Sequence, residues 1–397
     1  MFPICAMDIA KEHSVATIFS DRHIIFKDTF SFYHNMIDLE KIDVLLSNFT
    51  LEFGIKPKIV MEATGIYSKP IAAYFFSLGY EVFIINPIMT GNVKARSVRK
   101  SKTDPIDTMR IASVFYNHKL LPYNPSEEVY EKLRFLCRQY DGINTTYQEL
   151  VVRMHTVIDL IYPNFKRMFS TVKGKAALKF LKTFPSPEMV MSASPEELAA
   201  SFHTSNKSLG WHLNKAALIK ETVRESPIVL ESQIPILTYY VDLILHMQVI
   251  LADIRSQMHD LARLSPNYNL LLSIPGVGNV TASVILSEIG NVDRFHSKKQ
   301  LIAYAGLDPS VFQSGKYTAK NNKISKRGSP YLRKALYQAA FAGISNRSNG
   351  ASNKVLRTFY DHLTKNGKNS RLAQTATSAK LLRIIFGMLK SNTYFRY

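Results

Sequence analysis

Three short apolar or alternating segments open the chain, "PICAMDIA", "HSVATIFS" and "HIIFKDTFSF", with few residues between them. Period-two patterning predicts strands, and the short separations predict an antiparallel three-strand start. The period then changes. "NMIDLEKIDVLLSNFTLEF" carries helical spacing, "KIVMEAT" is an apolar run expected of a buried strand, "IYSKPIAAYFFSLG" predicts a helix ending on Gly79, and "YEVFIINP" a further buried strand. Three strands, helix, strand, helix, strand and helix is the order of an α/β RNase H-like (RuvC-like) domain, placed at residues 1–122.

After the break "LLPYNPSEE" a long helical pattern, "VYEKLRFLCRQYDGINTTYQELVVRMHTVIDLIY", runs to Pro163. A second, "IPILTYYVDLILHMQVILADIRSQMHDLARL", follows a shorter stretch dotted with Pro and Ser. Two long amphipathic helices around a small helical insert most simply form an antiparallel coiled-coil arm over residues 123–264, with a compact helical bundle as the alternative. Residues 265–397 predict an all-α domain. Its opening "SIPGVGNVTASVILSEIG" sets Gly276 and Gly278 in a tight turn between apolar helical segments. That is either a helix-hairpin-helix whose amides contact DNA phosphates or a plain helix–helix turn.

Charge changes this picture. The 397 residues carry a net +19, and from Pro309 onward seventeen Lys/Arg face one acid, Asp361, so this stretch holds +16 of the surplus. So local an excess points to a polyanionic partner. The two cysteines, Cys5 and Cys137, stand far apart with no zinc or disulfide spacing, which fits a reducing, cytoplasmic setting. No signal peptide is expected, and the apolar run from Ile236 to Ile254 is broken by Asp242, His246 and Asp253, so no membrane partner is expected either.

Four acids stand where acids are costly or well placed. Asp8 lies inside the apolar strand "ICAMDIA" and Glu62 ends "KIVMEAT". Each is either an ordinary strand-end acid or a buried carboxylate needing a partner, for which a metal ion is the economical choice. Asp104 and Asp107, in "KSKTDPIDTMRIA", share one face of a predicted helix start, with Pro105 in the first turn. Alone they read as favourable acids at a helix N-terminus. In an RNase H-like topology, however, the first strand, the fourth strand and this helix converge at one sheet edge. Such a cluster of oxygen donors favours Mg²⁺ or Mn²⁺, and two ions about 4 Å apart can serve phosphoryl transfer. The run Lys94, Arg96, Arg99, Lys100 and Lys102 just before it is either a solvated loop or a grip on a nucleic-acid backbone.

In "LIAYAGLDPSVFQSGKYTAKNNKISKRGSPYLRKALYQAA", Ser314 precedes Gly315 and Lys316, with Lys320, Lys323, Lys326, Arg327 and Arg333 following. Ser314 is a phosphate contact, a turn residue, or a nucleophile whose attack those cations would assist. Ser329 is expected to cap a helix that starts with Pro330. His296, the nearest histidine to Ser314, has a solvated loop position as its default.

At this point the chain resembles the DEDD transposases of bacterial insertion sequences, the bridge-RNA-guided serine recombinases with an N-terminal RuvC-like domain and a C-terminal transposase domain. The matching pieces are "AMDIAKEHSVA", "VMEATGIYSKPIAAYFFSLGYEVFIINP", "KSKTDPIDTMRIA", "LLLSIPGVGNVTASVILSEIG", "LIAYAGLDPSVFQSGK" and "SKRGSPYLRKALYQAA", in the family's order. The resemblance implies that Asp8, Glu62, Asp104 and Asp107 bind the metal. It implies that Ser314 attacks DNA and forms a transient phosphoserine link. It further implies donor and target DNA and a structured noncoding guide RNA as partners, a homo-oligomer (dimer or tetramer) joined through the arm, and a cytoplasmic bacterial setting on the nucleoid when active. Guide pairing would make a sequence-reading motif unnecessary. Thr108 stands where a small residue such as Ala is usual, and the arm is long for the family. The rival expectation is a RuvC-like Mg²⁺-dependent nuclease of branched DNA, with water as nucleophile and Ser314 only binding phosphate.

Overall fold

The computed structural model describes residues 2–64, 67–87, 89–91, 104–120, 122–123, 128–226, 231–309, 313–314, 317–318, 323–348 and 350–396. The chain forms two compact units, Met1–Ser126 and Glu127–Tyr397.

In the first unit, β1 (Ile4–Asp8), β2 (His13–Asp21) and β3 (Ile24–Tyr33) precede α1 (Met36–Phe53), β4 (Lys58–Glu62), α2 (Ser68–Ser77), β5 (Val82–Ile85) and α3 (Asp104–Asn117). The sheet order is β3-β2-β1-β4-β5. The first three strands pair antiparallel, while β1 pairs β4, and β4 pairs β5, in parallel. That is the element order and strand pattern expected of an RNase H-like domain. Asn35 starts α1 by accepting a hydrogen bond from the Asp38 amide, and Gly54 ends it at φ +70°.

Strand alternation divides the core between the two sheet faces. Cys5, Met7, Ile59, Met61 and Val82 join Leu39, Ile42 and Leu46 of α1 and Ile71 and Phe75 of α2. Ile4, Ala6, Val60, Phe83 and Ile85 join Ile111, Ala112 and Val114 of α3 on the other side. Three buried layers therefore hold the strand ends still.

The second unit is built on α4 (Glu128–Ile161) and a later long helix. Between them lie α5 (Phe165–Met168), α6 (Lys175–Thr183), α7 (Pro187–Ser192), α8 (Pro195–Ser201) and α9 (Leu209–Arg224); the later helix is α10 (Ile234–Arg263). The pair is antiparallel: Gln248 donates to the Tyr147 hydroxyl at 3.0 Å, and Tyr130 lies 3.2 Å from the Ser265 hydroxyl. The insert shares one core with the pair, through Phe165, Leu178, Phe180, Leu198 and Ile219. By length and composition α10 is apolar enough to cross a membrane, with mean hydropathy 1.6 over its most apolar window, the one such helix among the described residues. Its Leu237, Val241, Ile244, Leu251, Met258 and Ala262 are buried in the helical cores.

The remaining elements are α11 (Asn267–Leu272), α12 (Asn279–Ile289), α13 (Lys298–Tyr304), the paired β6 (Gln313–Ser314) and β7 (Tyr317–Thr318), α14 (Pro330–Ile344), the paired β8 (Asn346–Arg347) and β9 (Gly350–Ala351), α15 (Lys354–Lys365) and α16 (Ser370–Ser391). Ile285, Leu286, Leu332, Leu336, Leu381 and Ile385 knit the helices into one core with Leu133 and Cys137 of α4. Burial pushes both cysteine thiols up to about 12, so neither is a reactive thiolate near neutral pH.

Candidate active site

Asp8 is the last residue of β1 and Glu62 the last of β4. Met7 pairs with Met61 across these parallel strands, so the two acids are the next step of one ladder. Alternation puts both on the side of Ile4, Ala6 and Val60, the face that α3 covers. Both are half-buried, at the carboxyl ends of central strands, where open α/β sheets commonly place ligands. The chain turns directly afterwards: Ala63 N–H still bonds to the Ile85 carbonyl at 2.9 Å, and Thr64 Oγ1 donates to the Glu62 carbonyl at 3.1 Å.

The helix expected behind "KSKT" begins at Asp104. Its register on the sheet is pinned by hydroxyls. Thr108, fully buried, lies 2.8 Å from Thr17 Oγ1 on β2, and Thr17 lies 2.7 Å from Thr29 on β3. Thr108 also donates to the Pro105 carbonyl at 3.0 Å. The unusual threonine is therefore a peg that seats the first turn of α3. Asp107 pairs with Arg110 one turn on, Nη1 to Oδ1 at 2.5 Å, with the arginine side chain only 9% exposed. The side chain of Asp104 lies outside the described residues, as do Lys94, Arg96, Arg99, Lys100 and Lys102.

An all-oxygen set on adjacent strand ends has the chemistry a hard divalent cation takes. Asp8 and Glu62 fit such an ion by placement. Asp107 gives one oxygen, Oδ1, to Arg110, and no three acid, histidine or cysteine side chains among the described residues already converge on one point.

In the second unit, Ser314 ends β6 and pairs through its backbone with Tyr317 of β7, across a two-residue connection. The side chains of both strands, with Lys316 and Lys320, lie outside the described residues. The segment holding Ser314 is fastened at its base. Pro309 bridges Ile324, Ser325 N–H donates to the Asp308 carbonyl at 2.8 Å, and Lys326 N–H to the Gly306 carbonyl at 3.1 Å. Lys326 adopts φ +54°, and Lys323, Lys326 and Arg327 are exposed. Arg333 points its guanidinium into this base instead, donating to the Ala305 carbonyl at 2.9 Å. Ser329 caps α14, accepting from the Leu332 amide, with Pro330 in the first turn as expected. His296 is exposed on its loop.

The two turn glycines separate on inspection. Gly276 holds φ +101°, and a Cβ there would lie 2.7 Å from the Ala339 carbonyl oxygen, so α14 packs against bare backbone. Gly278 is the N-cap of α12, and a Cβ would meet nothing within 4 Å. Packing explains the first glycine. The second leaves open backbone at a helix N-terminus, which an anion can approach.

Sequence patterning missed Thr17 and, more consequentially, Glu288. The latter is fully buried and held by Arg138 and Ser329. Its signal, an acid inside "VILSEIG", is that of an ordinary helix end.

The site thus consists of an α/β domain with two acids at its central strand ends, in a chain whose helical C-terminal part is strongly basic. Comparison with known families narrows this. A model described as a transposase, of the IS110 DEDD type, matches residues 5–163, and one described as the transposase IS116/IS110/IS902 family matches residues 268–360. The chain belongs to the DEDD insertion-sequence transposase family. It is 30% identical over 186 residues to the pilin gene-inverting protein of Moraxella bovis, covering 46% of this chain and 55% of that one. It is 30% identical over 153 residues to the transposase for insertion sequence element IS1111A of Coxiella burnetii, covering 36% and 42%. Over 300 residues it is 23% identical to the insertion element IS900 42 kDa protein of Mycobacterium paratuberculosis, covering 75% and 73%. The chain thus spans about half the length of the pilin gene-inverting relatives it matches.

Proposed function

We propose that this chain is a DNA transposase or recombinase of a bacterial insertion sequence that uses Mg²⁺ or Mn²⁺ and attacks DNA with Ser314. The observation that carries the reading is the shared strand-end position of Asp8 and Glu62 beneath α3. These two acids would hold the cation, with Asp104 and Asp107 completing the set. The bound cation would polarise the scissile phosphate and neutralise charge on its oxygens.

Ser314 Oγ forms a bond to phosphorus as the phosphodiester's bridging P–O bond breaks, and the released strand end keeps a hydroxyl. The serine proton passes to a base outside the "SGK" segment. Attack by a hydroxyl of the partner strand reverses the link and frees Ser314. Lys323, Lys326 and Arg327, exposed beside this segment, hold phosphates, and the open Gly278 backbone adds a contact of helix-hairpin-helix type. The α4–α10 pair serves as a coiled-coil arm that joins subunits into a dimer or tetramer. A structured noncoding RNA supplies the sequence reading, donor and target DNA are the substrates, and the protein works in the cytoplasm on the nucleoid.

The test is nicked suicide DNA carrying the element ends, incubated with protein, flanking-element RNA and Mg²⁺, then run on a denaturing gel. Wild type is expected to give a protein–DNA adduct and Ser314→Ala none. Cleavage by wild type without an adduct, or an adduct with Ser314→Ala, would hand the reaction to water or to another residue. Sequencing the RNA that co-purifies is expected to return one discrete, foldable species encoded beside the gene; random cellular RNA would remove the guide.

A further inference from the structure

Glu288 is the penultimate residue of α12 and is fully buried. A carboxylate in such a place is tolerated only when its oxygens are taken up. Here they are. Arg138 of α4 donates Nε to one oxygen at 2.9 Å and Nη2 to the other at 3.2 Å, and Ser329 Oγ donates at 2.8 Å. The same serine hydroxyl accepts from the Leu332 amide at 3.1 Å, so one side chain joins α4, α12 and the start of α14. Neighbouring contacts brace it. Arg134 donates to the Ser287 carbonyl and Arg294 to that of Glu288, both at 2.9 Å, while Arg138 lies over the Tyr331 ring.

Packing does not demand this device. Ile285, Leu286, Ile289 and Leu332 already bury the helices against one another. What a two-toothed ionic grip adds is a fixed angle, which sliding apolar contacts lack. Its location is informative. The base of the segment carrying Ser314 runs through Tyr304–Gly306 on one side and Lys326–Ser329 on the other, where Ser329 N–H donates to the Tyr304 carbonyl at 2.7 Å. Gly328 is pinched so tightly there that a Cβ would lie 1.9 Å from that carbonyl oxygen. Glu288 grips the returning end of this base.

We propose that Glu288 is a positioning residue for Ser314: through Ser329 it fixes the base of the serine-bearing segment, and through Arg138 it ties that base to the long helix α4. The proposal rests on the reading of Ser314 as nucleophile.

The full-length protein is tested as Ser329→Ala, Ser329→Thr, Arg138→Lys and Glu288→Gln, each with its melting temperature recorded. Two readouts are taken: adduct formation at saturating DNA alongside DNA affinity, and the rate at which trypsin nicks the chain between Lys316 and Arg327. In Ser329→Ala, adduct formation is expected to slow about 100-fold, the scale of a roughly 1 Å misplacement, with DNA affinity within about two-fold. Trypsin nicking is expected to rise about ten-fold as the segment opens locally. Ser329→Thr, which restores the hydroxyl, should recover both, and Arg138→Lys, which keeps charge but not the fork, should fall between. Glu288→Gln should follow Ser329→Ala if it folds; the serine variants decide the matter if it does not. Adduct formation in Ser329→Ala within about two-fold of wild type would overturn the proposal, whatever the nicking rate. An adduct missing from wild type would instead remove the nucleophile, while unchanged nicking in Ser329→Ala would by itself overturn the hold of Glu288 and Ser329 on the segment's base.

Discussion

The acids of the N-terminal unit and the serine of the C-terminal unit are held in contrasting ways. Asp8 and Glu62 end strands whose inward residues, Ile4, Ala6 and Val60, are wholly buried between helices. Ser314 stands on a two-residue strand, on a segment whose described fastenings are hydrogen bonds at its base and the grip of Glu288 on Ser329. The contrast teaches where each half is vulnerable. Changing an acid should remove chemistry and spare the fold, because apolar burial sets its position. Changing the polar contacts below the serine should disturb geometry while the acids stay in place.

The largest effect is expected from the acids. Asp8→Asn or Glu62→Gln should lower strand exchange about 1,000-fold or more, by gel assay, with melting temperature and DNA affinity nearly unchanged. Stripping divalent cations with a chelator should match that loss, and adding back Mg²⁺ or Mn²⁺, but not Na⁺, should restore exchange. Persistence of full exchange in chelator would break the metal half of the comparison.

Next come the turn glycines. Gly276→Ala combines an unfavourable φ of +101° with a collision against α14, and urea unfolding should show a loss of about 3 kcal/mol. Gly278→Ala, facing open space, should cost less than about 1 kcal/mol. Equal losses would mean that packing does not separate the two glycines. Well below the Gly276→Ala loss lies that of the hydroxyl peg of α3. Thr108→Ala should cost about 1 kcal/mol, since it removes the hydroxyl's hydrogen bonds to Thr17 and to the Pro105 carbonyl while Thr29 still serves Thr17.

Much of the first unit was legible in the chain. The change from period two to period 3.6 and back marked all five strands and the helices between them; β1, β2, β4 and β5 are largely buried, while β3, mostly exposed, was marked by its alternation and its short link to β2. The RNase H-like order placed Asp8 and Glu62 at one sheet edge, and the register of β1 on β4 then put them on one face. The second unit was legible only in outline. Two-residue strands such as β6 are too short for any period to register. Glu288 gave no signal, because its burial depends on Arg138, 150 positions away in the chain. Asp107 read as half of a metal pair, whereas its nearest described partner is Arg110, a contact within one helical turn. The arginines also divided unexpectedly. Arg333 belonged to the basic run in sequence and is used to close the segment's base in the fold.

The central claim of the proposal is that adduct formation needs both the strand-end acids and Ser314. Adduct yield on nicked suicide DNA in Mg²⁺, measured for Asp8→Asn beside wild type, tests it most directly. The account predicts an adduct with wild type and none with Asp8→Asn at matched DNA occupancy. An Asp8→Asn adduct at wild-type yield would contradict it, because the serine would then act without the acids.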